Sequence, residues 1–387
     1  MNRQFSMKTM VLLVLFAVSA TLLLSFFGFR HFYGISSDLR GEVRRFQEAR
    51  EVISGRYVGV VLDEGYLTDQ AIAASVAALG DPWSRFLTEE QYQAHLRSQE
   101  NRQQGIGLIF GRDEETNEVV VLDTTPGSPA EQAGLVTGDV IVMLDGQNIA
   151  EMENDEVRTR IHAHYGGRVE MEVRNEAGEL RTVSVEVREF FVNPVSYELL
   201  EGTIGYIRIM NFDQGSGEAA IAAIEALYND GAVSLLFDVR NNPGGRVNEL
   251  LLLLDYLLPE GELFVFQDYA GNETIRHGGS DYLDMPMAVL INERSFSAAE
   301  FFAAILQEQD WATIVGVETT GKGRSQVTIP LSGGGAIVLS TSRYLTPGRV
   351  DLYEIGGIRP DVRVEAAEGS DRQLDRAVAV LRDMANS

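Results

Sequence analysis

The chain of 387 residues contains no cysteine, and that single absence removes disulfide bonds and thiolate chemistry from consideration. Histidine is scarce as well: five occur in the whole chain, and no His-Glu-x-x-His spacing is found. The sequence therefore offers no metal site and reads as a protein that needs no metal and no cofactor. Acidic residues outnumber basic ones 57 to 32, which gives a net charge of −25 without any stripe rich in lysine or arginine. Phosphate contacts need a basic surface, so nucleic acid is excluded as a partner and the acidity serves solubility. Internal repeats and low-complexity tracts are missing too. What remains, at 45% hydrophobic residues, is enough chain for two or three domains with sizeable cores.

One long apolar run is present. Residues 10–28 carry no charge and, as a helix, would span about 28 Å, close to a bilayer core. Arg3 and Lys8 precede the run, so residues 1–9 are expected in the cytoplasm, residues 10–29 as a membrane anchor, and everything beyond Arg30 outside, in a periplasm or at the cell surface. A cleaved signal is the other reading, because Val18-Ser-Ala20 satisfies the small-residue cleavage rule. Apolar residues continue through Phe27, which favours the retained anchor. In residues 30–100, Leu39, Val43, Phe46 and Ile53 recur at helical spacing. A second helix is predicted with Thr68 as its cap, Ile72, Val76 and Leu79 on one face, and Gly80-Asp-Pro82 at its end. Such a region either packs on the body or serves as a homodimerisation arm.

Residues 102–190 read as a small β-rich module. Gly105-Ile-Gly-Leu-Ile-Phe110 opens a strand, residues 118–122 give another, and Pro126-Gly-Ser-Pro-Ala-Glu-Gln-Ala-Gly134 makes a turn and short helix before Gly138-Asp-Val-Ile-Val-Met-Leu-Asp-Gly146. This pattern resembles a PDZ domain, in which Gly105, Ile106, Gly107 and Leu108 would receive the C-terminal carboxylate of a peptide added as a strand. Residues 191–387 alternate strand-like runs (204–210, 233–239, 287–291, 313–317 and 337–341) with helix-like ones (218–228, 247–257 and 297–309). That alternation argues an α/β core with crossover helices and a partly parallel sheet.

The chemistry concentrates in this last region. Ser297 stands at the start of a helix in Arg294-Ser-Phe-Ser-Ala-Ala-Glu300, and Lys322 stands between two glycines in Thr320-Gly-Lys-Gly-Arg-Ser-Gln326. A serine hydroxyl needs a base, and a lysine can serve if burial lowers its pKa. Gln326 is placed to orient that amine without adding charge. Donors for a tetrahedral intermediate are available at Ala298 and in the turn Arg240-Asn-Asn-Pro-Gly-Gly-Arg246, at Gly244 and Gly245. Each piece has a plain structural reading: Ser297 with Glu300 at N3 is also a helix cap, and Asn-Asn-Pro-Gly-Gly is also a turn. Their order in one chain is what points to catalysis. His277, in Arg276-His-Gly-Gly-Ser280, offers a competing Ser–His arrangement that spacing leaves open.

Phe237-Asp-Val-Arg-Asn-Asn-Pro-Gly-Gly245, Ser295-Phe-Ser-Ala-Ala-Glu300, Val315-Gly-Val-Glu-Thr-Thr-Gly-Lys-Gly-Arg-Ser-Gln326, Arg343-Tyr-Leu-Thr-Pro347 and Gly357-Ile-Arg-Pro-Asp361 together resemble the carboxyl-terminal processing peptidases, also called tail-specific proteases. The resemblance implies a crotonase-like α/β serine protease core with an inserted PDZ domain, and an endopeptidase that selects protein or peptide substrates by their free C-termini. It implies Ser297 as nucleophile, Lys322 as general base, Gln326 as its support, and an oxyanion hole at Gly244, Gly245 and Ala298. The chain departs from the family's usual pattern at Phe296 and Ala299, and Ile161-His162-Ala163 stands where Ile-Arg-Gly is common. A PDZ scaffold on an inactive protease body is the alternative from another class. Acyl-CoA chemistry on such a core would leave the PDZ module and the Ser–Lys pair without a role.

Overall fold

The computed structural model describes residues 37–59, 63–113, 115–279, 282–367 and 369–385. The expected anchor at residues 10–29 lies outside them. Among the described residues, no helix is long and apolar enough to cross a membrane. The chain divides after Ala71 into two compact units.

The first unit holds the helix Ser37–Arg56 and the start of the helix Glu64–Ala77. Thr68 does not cap the second helix but lies inside it, with its hydroxyl accepting a bond from Arg50. The start is moved upstream by Asp63, whose carboxylate takes the Gly65 amide at 3.1 Å and so satisfies a helix-end donor. Leu79, expected on the apolar face, falls beyond the helix end and is exposed, whereas Val76 is buried.

The second unit contains the module and the α/β core. The core sheet runs in the order Val195–Leu200, Ile204–Ile209, Ser234–Asp238, Met287–Ile291, Thr313–Gly316, Val362–Arg363, with the first pair antiparallel and the rest parallel. The two central strands, Ser234–Asp238 and Met287–Ile291, are buried throughout, as a parallel sheet covered on both faces requires. Their alternate side chains feed two cores. Leu235, Phe237, Met287 and Val289 pack under the crossover helices Ser216–Asn229, Val247–Leu257 and Ala298–Glu308, while Leu236, Ala288 and Leu290 pack under the C-terminal helix Arg372–Ala385.

A second sheet was not foreseen in the sequence. Its central strand, Ala336–Leu345, pairs along one edge with Arg324–Pro330 and on its other edge with Arg85–Leu87 and Glu262–Gln267, the last extended by Glu273–His277. The module is a six-stranded sheet with the helices Pro129–Gln132 and Asn154–Ala163 over a separate core. The chain enters it along Arg102–Gly105 and leaves along Arg188–Phe191, and these two segments pair with each other.

Candidate active site

Ser297 and the Gly244–Gly245 turn follow the C-terminal ends of neighbouring parallel strands, Met287–Ile291 and Ser234–Asp238, where open α/β sheets place their ligand sites. The two loops are tied together. Asn242 is fully buried; its carbonyl takes the Phe296 amide at 2.9 Å, and Ser295 Oγ donates to Val239 O at 2.8 Å. Gly244 has φ +90°, and a Cβ there would lie 2.8 Å from both Phe296 O and Ser297 Cβ and 3.1 Å from Ala298 N. Only glycine lets the turn approach the serine this closely. The Gly244 amide is occupied by Asn242 Oδ1 at 2.8 Å, so the donors this corner leaves to a ligand are those of Gly245 and Ala298.

Ser297 itself has φ +53° and ψ −117° and is 7% exposed. A non-glycine residue in that region is strained, and such strain is held only where the surroundings over-determine it. Here the Asn242–Phe296 bond lies on one side. On the other, the Ser297 amide donates to Glu300 Oε2 at 2.8 Å. Glu300 is fully buried and does more than close the helix start: Oε1 accepts the Gly321 amide at 2.6 Å and Oε2 the Lys322 amide at 2.8 Å. One carboxylate thus braces the Ser297 segment against the lysine loop. Sequence reasoning saw Glu300 only as a capping residue, since nothing local signals the second pair of bonds.

The glycines around Lys322 let its loop pass another segment. At Gly321, φ +87°, a Cβ would come within 2.6 Å of Gly357 N and 2.7 Å of Leu352 O. The lysine side chain runs into a largely buried site where Nζ lies 5.0 Å from the centre of the Trp83 ring. Burial pushes its pKa below the ordinary value, helped by the nearby Arg85 charge and opposed by Glu300 and Asp81. Trp83 in turn meets Phe296 edge-on at 6.1 Å. Phe296, one of the departures noted above, therefore steadies the ring on which the amine rests.

The predicted residues are not all in bonding register. Among the described residues, no hydrogen bond joins Lys322 Nζ to Ser297 or to Gln326; Gln326 Nε2 donates to Arg324 O at 2.7 Å and to Ser340 Oγ at 3.2 Å. His277 lies on the exposed edge strand Glu273–His277 and makes no hydrogen bond to Ser297. Among the described residues, no group of three His, Asp or Glu side chains is placed to hold a metal ion.

In the module, Gly105 to Leu108 border a cavity of about 330 Å³ between the strand Leu108–Arg112 and the helix Asn154–Ala163, with Phe110, Arg158, Ile161 and His162 on its walls. Gly107, φ +70°, is pressed on Ser128, 2.3 Å from where its Cβ would sit. The His162 ring stands beside Gly105.

Comparison with known proteins agrees with this architecture. Residues 203–364 match the peptidase family S41, and residues 120–175 match a PDZ domain. A carboxyl-terminal-processing protease of Synechocystis sp. is 31% identical over 80% of this chain and 74% of its own. The carboxy-terminal processing protease CtpA of Bacillus subtilis is 27% identical over 94% of this chain and 78% of its own. Among solved structures, a photosystem II D1 C-terminal processing protease is 29% identical, with a TM-score of 0.50, covering 86% of this chain and 90% of that one. With its mixed α/β core, its PDZ module and these relatives, the chain belongs to the carboxyl-terminal processing proteases of peptidase family S41 and is a serine-type peptidase.

Proposed function

We propose that this protein is an extracytoplasmic endopeptidase in which Ser297 attacks the scissile carbonyl and Lys322 is the general base, on substrates captured by their C-termini in the groove beside Gly105 to Leu108. The observation that carries this reading is the Glu300 carboxylate, which binds the backbones of Ser297, Gly321 and Lys322 at once. In the productive state Lys322 Nζ leaves the Trp83 ring, accepts the Ser297 proton, and returns it to the leaving amine. Gln326 steadies the amine in that position, turning from its bonds to Arg324 O and Ser340 Oγ to do so. The amides of Ala298 and Gly245 stabilise the oxyanion, while Gly244 shapes the turn. Burial of Lys322 supports its role, since a neutral amine is the competent base.

Anchoring through residues 10–29 and pairing of two copies through the exposed Val43, Phe46 and Ile53 belong to the same reading. The domain division follows: helical region 30–100, PDZ domain 102–190, catalytic domain 191–387. The test compares one peptide with a free or an amidated C-terminus on the intact protein, with Ser297→Ala as the blank. Cleavage of the acid form should be several-fold faster; equal rates would remove the tail-capture part, and activity in Ser297→Ala would remove the mechanism.

A further inference from the structure

The strand Ala336–Leu345 is paired along the whole of one edge, from Arg343 to Ala336, by Arg324–Pro330. Its other edge is shared by two segments that do not meet. Arg85–Leu87 pairs with Ala336 to Val338, and Val265 to Gln267 pair with Leu345 to Arg343, so among the described residues no strand accompanies Leu339 to Ser342 on this edge. Both neighbours run antiparallel to the central strand, as would a third strand laid between them. The interruption opens into a cavity of about 850 Å³ lined by Leu339 to Ser342, by Asp81 and Ser84 ahead of one neighbour, and by the hairpin turn around Ala270 after the other.

One edge group there is held by a side chain in place of a strand. Ser340 N–H points into the gap and is met at 3.0 Å by Ser84 Oγ, whose own proton goes to Asp81 at 2.5 Å. The hydroxyl stands where the carbonyl oxygen of a paired strand would otherwise accept. An unpaired edge normally invites association, and proteins blunt it; here it is recessed between two strands and admits only a short extended segment. Four unpaired positions correspond to about 14 Å of strand. The gap adjoins the catalytic residues: Trp83, on which Lys322 rests, lies between Asp81 and Ser84, and Ser340 is the hydroxyl that Gln326 holds.

We propose that the gap between Arg85–Leu87 and Glu262–Gln267 is a docking slot for an extended stretch of substrate near the scissile bond, added as a strand against Leu339 to Ser342. This rests on the peptidase reading above and goes beyond it, since the PDZ groove lies on another sheet of the molecule. Polar and charged groups dominate the walls, and Asp268 is already engaged by the amides of Ala270 and Asn272. The slot therefore grips main chain rather than side chains and tolerates many sequences. A peptide seated there meets the Ser340 N–H first, and so competes with Ser84 Oγ for it.

The test uses the full chain and unfolded casein as probe. Hydrogen–deuterium exchange of the Ser297→Ala protein should show the amides of residues 339–342 slowed on adding casein. Ala270→Trp, an exposed turn substitution that fills the slot, should raise KM for casein several-fold with kcat within about twofold. If wild type cleaves casein while exchange at 339–342 and the KM of Ala270→Trp stay unchanged, the slot is overturned and the peptidase reading stands. Slowing at 339–342 that depends on protein concentration without casein would assign the slot to a second copy and overturn the proposal. Failure of wild type to cleave casein or any unfolded peptide would bring down both readings together.

Discussion

Glu300 and Lys322 are joined through the main chain: the Oε2 atom that accepts the Ser297 amide also accepts that of Lys322, each at 2.8 Å. The two side chains proposed to react therefore hang from one buried acceptor, on which their relative placement depends.

Replacing Glu300 should act on catalysis more than on binding. Glu300→Gln puts an N–H₂ group against one set of backbone amides, and kcat should fall about ten- to a hundredfold, or about 1.4–2.7 kcal/mol, with KM changed little. Glu300→Ala should be worse and also less stable, because three buried amides lose their acceptor. Steady-state kinetics beside thermal melts decide; a Glu300→Ala protein with wild-type kcat would contradict the bracing role.

Ser297→Ala and Lys322→Ala should each abolish nearly all peptide hydrolysis while circular dichroism stays native. Gln326→Ala should be impaired less, since the role proposed for it is to position the base and not to move a proton. His277→Ala, on an exposed edge strand, should keep most activity. A dead His277→Ala with a working Lys322→Ala would reverse the assignment.

The pH profile carries the sign of the lysine shift. In the proposed mechanism the neutral amine is the base, so kcat/KM should rise with pH through the Lys322 pKa, and burial places that limb below the ordinary 10.5. The Trp83 ring favours the charged form by cation–π attraction. Trp83→Leu keeps the site apolar and removes that attraction, so the limb should move lower by about 0.5–1 pH unit. An unmoved or raised limb would show that the ring does not govern the amine.

Asp213 follows Phe212, which bridges Gly245, and burial raises its pKa from 3.8 to about 6, with Arg246 opposing and Glu249 adding. The folded pKa lies above the unfolded one, so this group's stabilisation is complete below about pH 4 and is lost as pH rises through about 6. Asp213→Asn should then be more stable than wild type near neutrality by about 1–3 kcal/mol, and not so at about pH 4. Urea melts at both pH values check it; the same difference at each would refute the titration argument.

The parts legible in the sequence were those with local causes. Ser234–Asp238 and Met287–Ile291 announced themselves as unbroken apolar runs, and the crossover helix Val247–Leu257 begins and ends where its leucine periodicity does. The glycines beside Lys322 and in the Gly244–Gly245 turn marked close backbone approaches that the fold does make. What escaped depended on partners distant in the chain. Arg85–Leu87 is three residues long and becomes a strand only because Ala336 to Val338 lie beside it. Trp83 shows no periodic signal, yet it receives the lysine amine, and the Ser84–Ser340 bond spans 256 residues. Thr68 failed as a cap because Asp63, a residue equally able to cap, stands upstream.

The pairing of Arg102–Gly105 with Arg188–Phe191 brings the two ends of the module side by side at a single stalk. A module mounted in this way can be exchanged for another without rethreading the peptidase beneath it. Any force applied to the module converges on that one pair of strands before it reaches the core.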